Sequence, residues 1–151
     1  MSAPSDPPGG EGWRAREATG RYPTTIGIVW ERDAGGVFQI AMRCTEEHDN
    51  GNGAMHGGII ASLADMGLGG LVRRHRNPDG ETGPGKVLSA TIQLDISYAS
   101  AALIGELVES RAEITHATRS MTFASGRLVV GERTVAAMQG IFKIVGRRAG
   151  T

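Results

Sequence analysis

The sequence lacks several residue patterns that carry common chemistries. It has one cysteine, Cys44, which excludes an intrachain disulfide and a CxxC metal site. A lone cysteine of this kind is most often a small apolar core residue. The four histidines do not have zinc-ligand spacing, so no metal site is expected. The absence of a Gly-x-Ser-x-Gly elbow argues against a serine hydrolase.

An excess of charge and long apolar runs are also missing. Lysine plus arginine and aspartate plus glutamate each number 16, so the net charge is +0. A general nucleic-acid binder needs a basic excess, and no nucleic-acid partner is therefore expected. No apolar run reaches the ~20 residues that span a bilayer, and the polar stretch 2–12 has no signal-peptide pattern. The 151 residues predict one domain in a cytoplasmic protein without membrane association.

Glycine, by contrast, is abundant and concentrated before a predicted helix. Residues 50–58 contain four glycines and two asparagines, which predict a loop that turns tightly and approaches a ligand closely. Apolar residues then recur at helical spacing and predict a helix from about Gly57 to Arg74. Its first amides have no partner within the helix and can bind an oxyanion. Asp65 lies roughly 12 Å further along, where a carboxylate is costly unless it is paired, solvated or used.

Six segments have the composition or alternation of strands, and they surround this helix in the sequence. In Lys86–Tyr98 we expect the face with Leu88 and Ile92 to lie on the helix, and the polar face with Thr91 to be solvated or at a subunit boundary. Short turns make neighbouring strands antiparallel, which indicates an α+β fold. The predicted strands are Thr24–Glu31, Val37–Cys44, Lys86–Tyr98, Leu103–His116, Arg119–Val130 and Arg133–Val145.

The pattern Asn50-x-x-Gly53-x-x-His56-Gly57-Gly58-x-x-x-x-Leu63-x-Asp65 resembles the signature of hotdog-fold acyl-CoA thioesterases of the phenylacetate-pathway (PaaI-like) group. The resemblance covers roughly residues 36–145. It implies a hotdog fold, in which a curved antiparallel sheet wraps around one long central helix. We assign this domain to residues 21–147, with a disordered or irregular segment at 1–20 and a flexible tail at 148–151.

The resemblance also implies an activity and an assembly. Members of this group hydrolyse acyl-CoA thioesters, here expected to be aromatic or medium-chain, and no cofactor is implied because the coenzyme A thioester is the substrate. A homodimer or homotetramer would carry its active sites at the subunit interface, with the acid from one chain and the glycine amide from its partner.

Carried onto this chain, the resemblance assigns individual roles. Asp65 would be the nucleophile or the general base, and the Gly57 amide would form the oxyanion hole. Thr91 would support the acid through its hydroxyl, and Asn50 and His56 would complete the catalytic set. The expected substrate-binding residues are Gly58, Arg119 and Ser120, with Arg73, Arg74 and Lys86 as other candidates for the phosphates of coenzyme A.

Two alternative functions stay open. A hotdog enoyl-CoA hydratase depends on an Asp/His pair in a different loop sequence, which is not seen here. A non-catalytic acyl-CoA binding or sensing protein would have no need of Asp65, and the first 35 residues are too short and too weakly basic for a helix-turn-helix. Release of a thiol from acyl-CoA would distinguish an enzyme from a sensor.

Overall fold

The computed structural model describes residues 6–17 and 20–150, in which seven strands form one antiparallel sheet. The spatial order is β1-β2-β3-β5-β6-β7-β4. Two α-helices, α1 (Tyr22–Thr25) and α2 (Gly57–Arg76), and a 3-10 turn at Glu46–His48 interrupt the strands. The strands are β1 (Arg14–Ala15), β2 (Trp30–Ala34), β3 (Val37–Arg43), β4 (Val87–Tyr98), β5 (Leu107–Ala117), β6 (Met121–Val130) and β7 (Arg133–Arg147).

Helix α2 packs along the inner face of this sheet, which confirms the predicted α+β architecture. A Cβ atom on Gly70 would lie 2.2 Å from the Phe38 ring, so no side chain fits there. At Gly69, by contrast, a Cβ atom would make ordinary contact with Phe142 at 3.4 Å. The apolar residues of α2 that recur at helical spacing are buried in the core: Ile60, Leu63, Ala64, Leu68, Leu71 and Val72.

The predicted strand Thr24–Glu31 is wrong over residues 24–29, because β2 begins only at Trp30. The segment begins as the single turn α1, in which the Thr24 and Thr25 hydroxyls donate to the carbonyls of Arg21 and Tyr22. Threonine side chains that bond to nearby backbone compete with strand formation. Gly27 then has a φ of +107°, and the strand starts only at Trp30.

Two other predicted strands start too early. Residues 103–106 form a turn in which the Glu106 amide donates to the Leu103 carbonyl (3.0 Å), so β5 begins at Leu107. The Thr118 amide donates to the Met121 carbonyl (2.8 Å), which leaves residues 119–120 in a turn before β6. Two-residue turns at 35–36 and 131–132 close the hairpins β2–β3 and β6–β7, between the pairs Ala34–Val37 and Val130–Arg133.

The predicted faces of β4 are wrong in their first half because a β-bulge interrupts the alternation. Thr91 pairs with Phe142 and Gln93 pairs with Ile141, so Ile92 is an extra residue without a partner. An inserted residue shifts every later side chain to the other face. Ile92 is consequently 53% exposed, whereas Thr91 faces α2 beside the buried Phe142. Further along β4 the apolar residues Leu94 and Ile96 pack against the core as predicted.

Parts of the chain ends lie outside this description. Residues 1–5, which belong to the segment expected to be disordered or irregular, are outside the described residues, as are 18–19 and Thr151. The described part of the N-terminal segment includes β1, which pairs with β2 through Arg14–Glu31 and Ala15–Trp30. In residues 6–17 and 20–150, no helix is long and apolar enough to cross a membrane.

Candidate active site

The glycine-rich loop before α2 is shaped by side chains that bond to its own backbone. The Gly53 amide donates to Asp49 Oδ1 and the Asn52 amide to Asn50 Oδ1, both at 2.8 Å. Gly51 and Gly53 have φ angles of +90° and +77°, which favour glycine. Asn50 itself does not have a positive φ, so its backbone does not use the tolerance of asparagine for left-handed conformations. In the described part of the chain its side-chain NH₂ has no partner and is available to a ligand.

A buried histidine that sequence reasoning did not single out connects this loop to the N-terminal segment. His48 is 5% exposed, and its Nδ1 accepts a hydrogen bond from the Thr45 amide (3.0 Å). Its Nε2 lies 2.6 Å from the Ile26 carbonyl, which can only accept, so Nε2 carries the proton. The His48 carbonyl in turn accepts from the His56 amide (2.7 Å) and so fixes the start of α2.

His56 is the N-cap residue of α2. Its Nδ1 accepts a hydrogen bond from the Gly58 amide (2.9 Å), which satisfies one of the free donors of the first turn. The structure thus gives His56 a structural role. It also occupies the amide of Gly58, one of the residues expected to bind the substrate, so a substrate contact through this amide requires the cap to be replaced.

The Gly57 amide, in contrast, has no acceptor among the described residues. The Gly57 carbonyl accepts a hydrogen bond from the Tyr98 hydroxyl at 2.8 Å, which holds the first residue of α2 against β4. A Cβ atom at this position would lie 3.4 Å from the Tyr98 oxygen, an ordinary contact. A free amide at the positive end of a 20-residue helix is a suitable donor for a developing oxyanion.

Asp65 and Thr91 meet across the space between α2 and β4. Thr91 Oγ1 donates to Asp65 Oδ1 at 2.7 Å, the geometry of a strong hydrogen bond to a carboxylate. The bulge at Ile92 makes this contact possible by turning Thr91 toward the helix. Ser62, one turn earlier, donates to the Gly58 carbonyl instead of to Asp65. No described residue donates to Asp65 Oδ2, which leaves this oxygen available.

These two residues lie in the wall of a cavity of about 560 Å³ between α2, β4 and the N-terminal segment. Its volume is in the range of small-molecule sites. Met66 and Phe142 give it an apolar part, and Arg16 and Arg73 give it a cationic part. The lining residues Arg16 and Tyr22 come from the segment before β2, which carries no recognisable motif, so sequence reasoning missed them.

The remaining predicted contacts to substrate are not brought together with Asp65. Arg119 and Ser120 lie in the exposed turn between β5 and β6, outside this cavity. Arg76 holds that turn, since its guanidinium donates to the Thr118 and Met121 carbonyls at 2.6 and 2.7 Å. Within residues 6–17 and 20–150, no group of three or more His, Cys, Asp or Glu side chains could hold a metal ion.

Comparisons with known proteins identify the family of this chain. The family model of the Thioesterase superfamily matches residues 52–137. The "Putative esterase PA0474" of Pseudomonas aeruginosa is 34% identical over 113 residues, which are 75% of this chain and 79% of that protein. The chain therefore belongs to the thioesterase superfamily.

Solved structures agree on the fold. The BH2602 protein from Bacillus halodurans, solved with CoA, matches with a TM-score of 0.62 and 23% identity over 71% of this chain and 66% of that one. The PaaI protein from the phenylacetic acid degradation operon of E. coli matches with a TM-score of 0.60 and 19% identity, over 74% and 75% of the two chains. These matches confirm the predicted hotdog fold.

Proposed function

We propose that this protein hydrolyses acyl-CoA thioesters, aromatic or medium-chain, to a free acid and coenzyme A. The observation that carries the proposal is the 2.7 Å hydrogen bond from Thr91 to Asp65 in the wall of the cavity, in a chain of the thioesterase superfamily. This bond orients the carboxylate and leaves Oδ2 for water or substrate. The CoA in the BH2602 structure supports a ligand of this type.

Asp65 can act in two ways. As a general base it takes a proton from water while the water oxygen bonds to the thioester carbon. As a nucleophile it bonds to that carbon itself and forms an anhydride, which water then hydrolyses. In both cases the C–S bond breaks, the electron pair leaves with sulfur, and the thiolate takes up a proton. The Gly57 amide stabilises the negative charge that develops on the carbonyl oxygen.

One chain cannot supply both groups to the same carbonyl. Gly57 and Asp65 are eight residues apart on α2, about 12 Å along the axis. An oxyanion donor must lie about 2.7–3.1 Å from the oxygen that it stabilises. The proposed site therefore combines Asp65 of one chain with Gly57 and Asn50 of a second copy, in a homodimer or in a homotetramer built from such dimers.

The sheet offers a surface for this second copy. In the described part of the chain, strand β4 is at one end of the strand order and pairs only with β7, so its other edge is unpaired along 12 residues. Ile92 and Tyr98 on this strand are 53% and 56% exposed. Unpaired edges of this length favour pairing with another chain. A light-scattering mass of a single chain at micromolar concentration would contradict the shared site.

Thiol release from a panel of acyl- and aryl-acyl-CoAs tests the function directly. We expect Asp65→Asn to lower kcat at least ~100-fold with little change in KM, because general-base assistance contributes about 10²–10⁴-fold. Asp95→Asn is a matched control, since Asp95 lies on β4, the strand of Thr91, but does not line the Asp65 cavity and bonds only to Gln93 and Gln139 in the described chain. Full activity of Asp65→Asn, or no thiol release by the wild type, would refute the proposal.

Subunit mixing tests the division of the site. Chains with Asp65→Asn and chains with Gly57→Ala are each expected to be impaired, yet a hybrid dimer contains one site with both native groups. Mixed samples should regain activity in one of their two sites. Failure to regain it, with subunit exchange shown independently, would place the acid and the oxyanion donor in the same chain.

A further inference from the structure

The cavity that contains Asp65 ends at two arginines. Arg16 and Arg73 line it, and both also line a second cavity of about 510 Å³, so they form the wall between the two. Residues 65, 69 and 73 are spaced four apart and share one face of α2. Arg73 lies about 12 Å beyond Asp65 along the helix axis. The cavity therefore leads from the carboxylate, past an apolar stretch, to a cationic end.

The nearby carboxylates do not neutralise this end. Among the described residues, four guanidinium groups meet three carboxylates in one ion-pair network, and the charges of Glu17 and Arg148, which line the second cavity, cancel, so one positive charge is in excess. Arg73 has the weakest contact, because its Nε is 3.4 Å from Glu81 while the other Glu81 oxygen lies 2.6 Å from Arg74. The members of the network are Arg14, Arg16, Arg73, Arg74, Glu31, Asp33 and Glu81.

Arg16 is held firmly in this wall. Its side chain is 10% exposed, its guanidinium donates to Glu31 at 2.8 Å, and its backbone amide donates to the Val29 carbonyl. Burial lowers the pKa of Arg16, and the positive charge of Arg73 lowers it further, while Glu31 acts in the opposite direction. The two arginine charges thus interact, and an anion beside both would relieve their repulsion.

We propose that the acyl chain of the substrate ends in a carboxylate, which Arg73 binds together with Arg16. This inference rests on the proposed thioesterase function and names its substrate class. Guanidinium groups bind a carboxylate through strong, often bidentate hydrogen bonds. A hydrocarbon end would desolvate the two charges without offering an acceptor, which is costly. Met66, Gly69 and Phe142, between the two ends of the cavity, offer contact to the methylene groups of such a chain.

Phosphates of coenzyme A are a second source of negative charge, and Arg73 was among the candidates for them. The part of the cavity wall between Asp65 and Arg73 favours an acyl carboxylate over a phosphate of coenzyme A at the arginines. A phosphate at the arginines would require the pantetheine arm, with its two amide groups, to lie along this wall. Met66, Gly69 and Phe142 provide no side-chain partners for those amides, and the Tyr22, Ser62 and Thr91 hydroxyls already bond within the protein. The Ser89 hydroxyl alone does not satisfy two amide groups, whose burial without hydrogen bonds is unfavourable.

The test compares two acyl groups on two thiols. Neutral and ω-carboxylated acyl chains of equal length are assayed as CoA esters and as N-acetylcysteamine esters, which have no phosphate. We expect the wild type to prefer the ω-carboxylated chain on both thiols. Arg73→Gln should lower kcat/KM for that chain about 10- to 100-fold on both thiols, the range for a lost charge-assisted hydrogen bond. Neutral chains should change less than about threefold, and Arg73→Lys should keep part of the preference.

Arg14→Gln is the matched control, because Arg14 belongs to the same ion-pair network through Glu31 and Asp33 but does not line the Asp65 cavity. An equal loss in this control would overturn the inference, since the network as a whole would then be responsible. A loss for all CoA esters and for none of the N-acetylcysteamine esters would assign Arg73 to the phosphates and overturn it too.

The wild type alone also decides the question if Arg73→Gln does not fold. No preference for the ω-carboxylated chain, with hydrolysis of neutral CoA esters that depends on Asp65, would overturn this inference and leave the proposed function standing. No hydrolysis of any thioester would overturn the proposed function and this inference with it.

Discussion

Replacing Thr91 by valine removes one hydroxyl from the candidate site and keeps nearly the same side-chain shape. Thr91 Oγ1 donates to Asp65 Oδ1 at 2.7 Å, and Thr91 itself is exposed on β4, so few packing contacts are at risk. A hydrogen bond to a charged group contributes about 1.5–3 kcal/mol. If the whole of this contribution orients Asp65 in the transition state, Thr91→Val should lower kcat about 10- to 100-fold.

The assay is steady-state thiol release with the best acyl-CoA of the panel. We expect KM to change little, because Thr91 positions Asp65 and does not bind the substrate in the ground state. Thr91→Ser keeps a hydroxyl and should recover most of the lost activity. In an Asp65→Asn background, Thr91→Val should have almost no further effect, since the group that it positions is already missing.

Two results would refute this reasoning. Wild-type kcat in Thr91→Val would show that the hydrogen bond to Asp65 is not needed during turnover. An equal loss of activity from Thr91→Val with and without Asp65 would show that Thr91 acts independently of the carboxylate. The melting temperature of each variant serves as the control for folding, and it should stay close to that of the wild type.

Three further predictions follow from named contacts. Gly57→Ala should fold normally and lower kcat by crowding the oxyanion donor; unchanged kinetics would remove this residue from the site. Gly69→Ala should stabilise the protein by up to ~1 kcal/mol, because alanine has the higher helix propensity. Gly70→Ala should destabilise it by about 1–3 kcal/mol, because its Cβ atom would overlap the Phe38 ring. Chemical denaturation of the two variants measures both changes in the free energy of unfolding. Burial raises the pKa of the Cys44 thiol from 9.0 to about 11. At pH 8, Ellman's reagent should therefore react with Cys44 only after the protein is unfolded. The free energy of unfolding should fall as the pH rises from 9 to 11, because over this range the thiol loses its proton in the unfolded chain and keeps it in the folded one.

Helix α2 and the glycine-rich loop before it were predictable from the sequence, because residues close in the chain determine the structure of both. Glycine at 51 and 53 permits the positive φ angles of the loop, and apolar residues at helical spacing determine which face of α2 is buried. The helix runs two residues beyond the predicted Arg74 because Asn77 ends it, donating from its backbone and side chain to the Arg73 carbonyl. These are contacts over short sequence distances, which a pattern can report.

The cationic wall of the cavity was not predictable in the same way. Arg16 lies at this wall because it directly follows β1, which pairs with β2. With only two residue pairs, β1 is too short to show a strand alternation in the sequence. Its partner Arg73 reads in the sequence as part of the basic end of α2, where positive charge suits the helix dipole. Only the fold brings the two arginines together, 57 positions apart in the chain, and only that proximity indicates an anion site.

The bulge at Ile92 shows why the candidate catalytic pair needed the structure. Strict alternation along Lys86–Tyr98 places Thr91 on the face opposite to Leu94 and Ile96, away from Asp65. The inserted residue lets Thr91 and Leu94 share the inner face, opposite Phe142 and Gly140 of β7. Bulges are common where a sheet must direct a side chain into a site. The family resemblance paired the Thr91 hydroxyl with Asp65, and the structure places the two within 2.7 Å. Periodicity assigned Thr91 to the wrong face, because the regular alternation of the strand is interrupted directly after it.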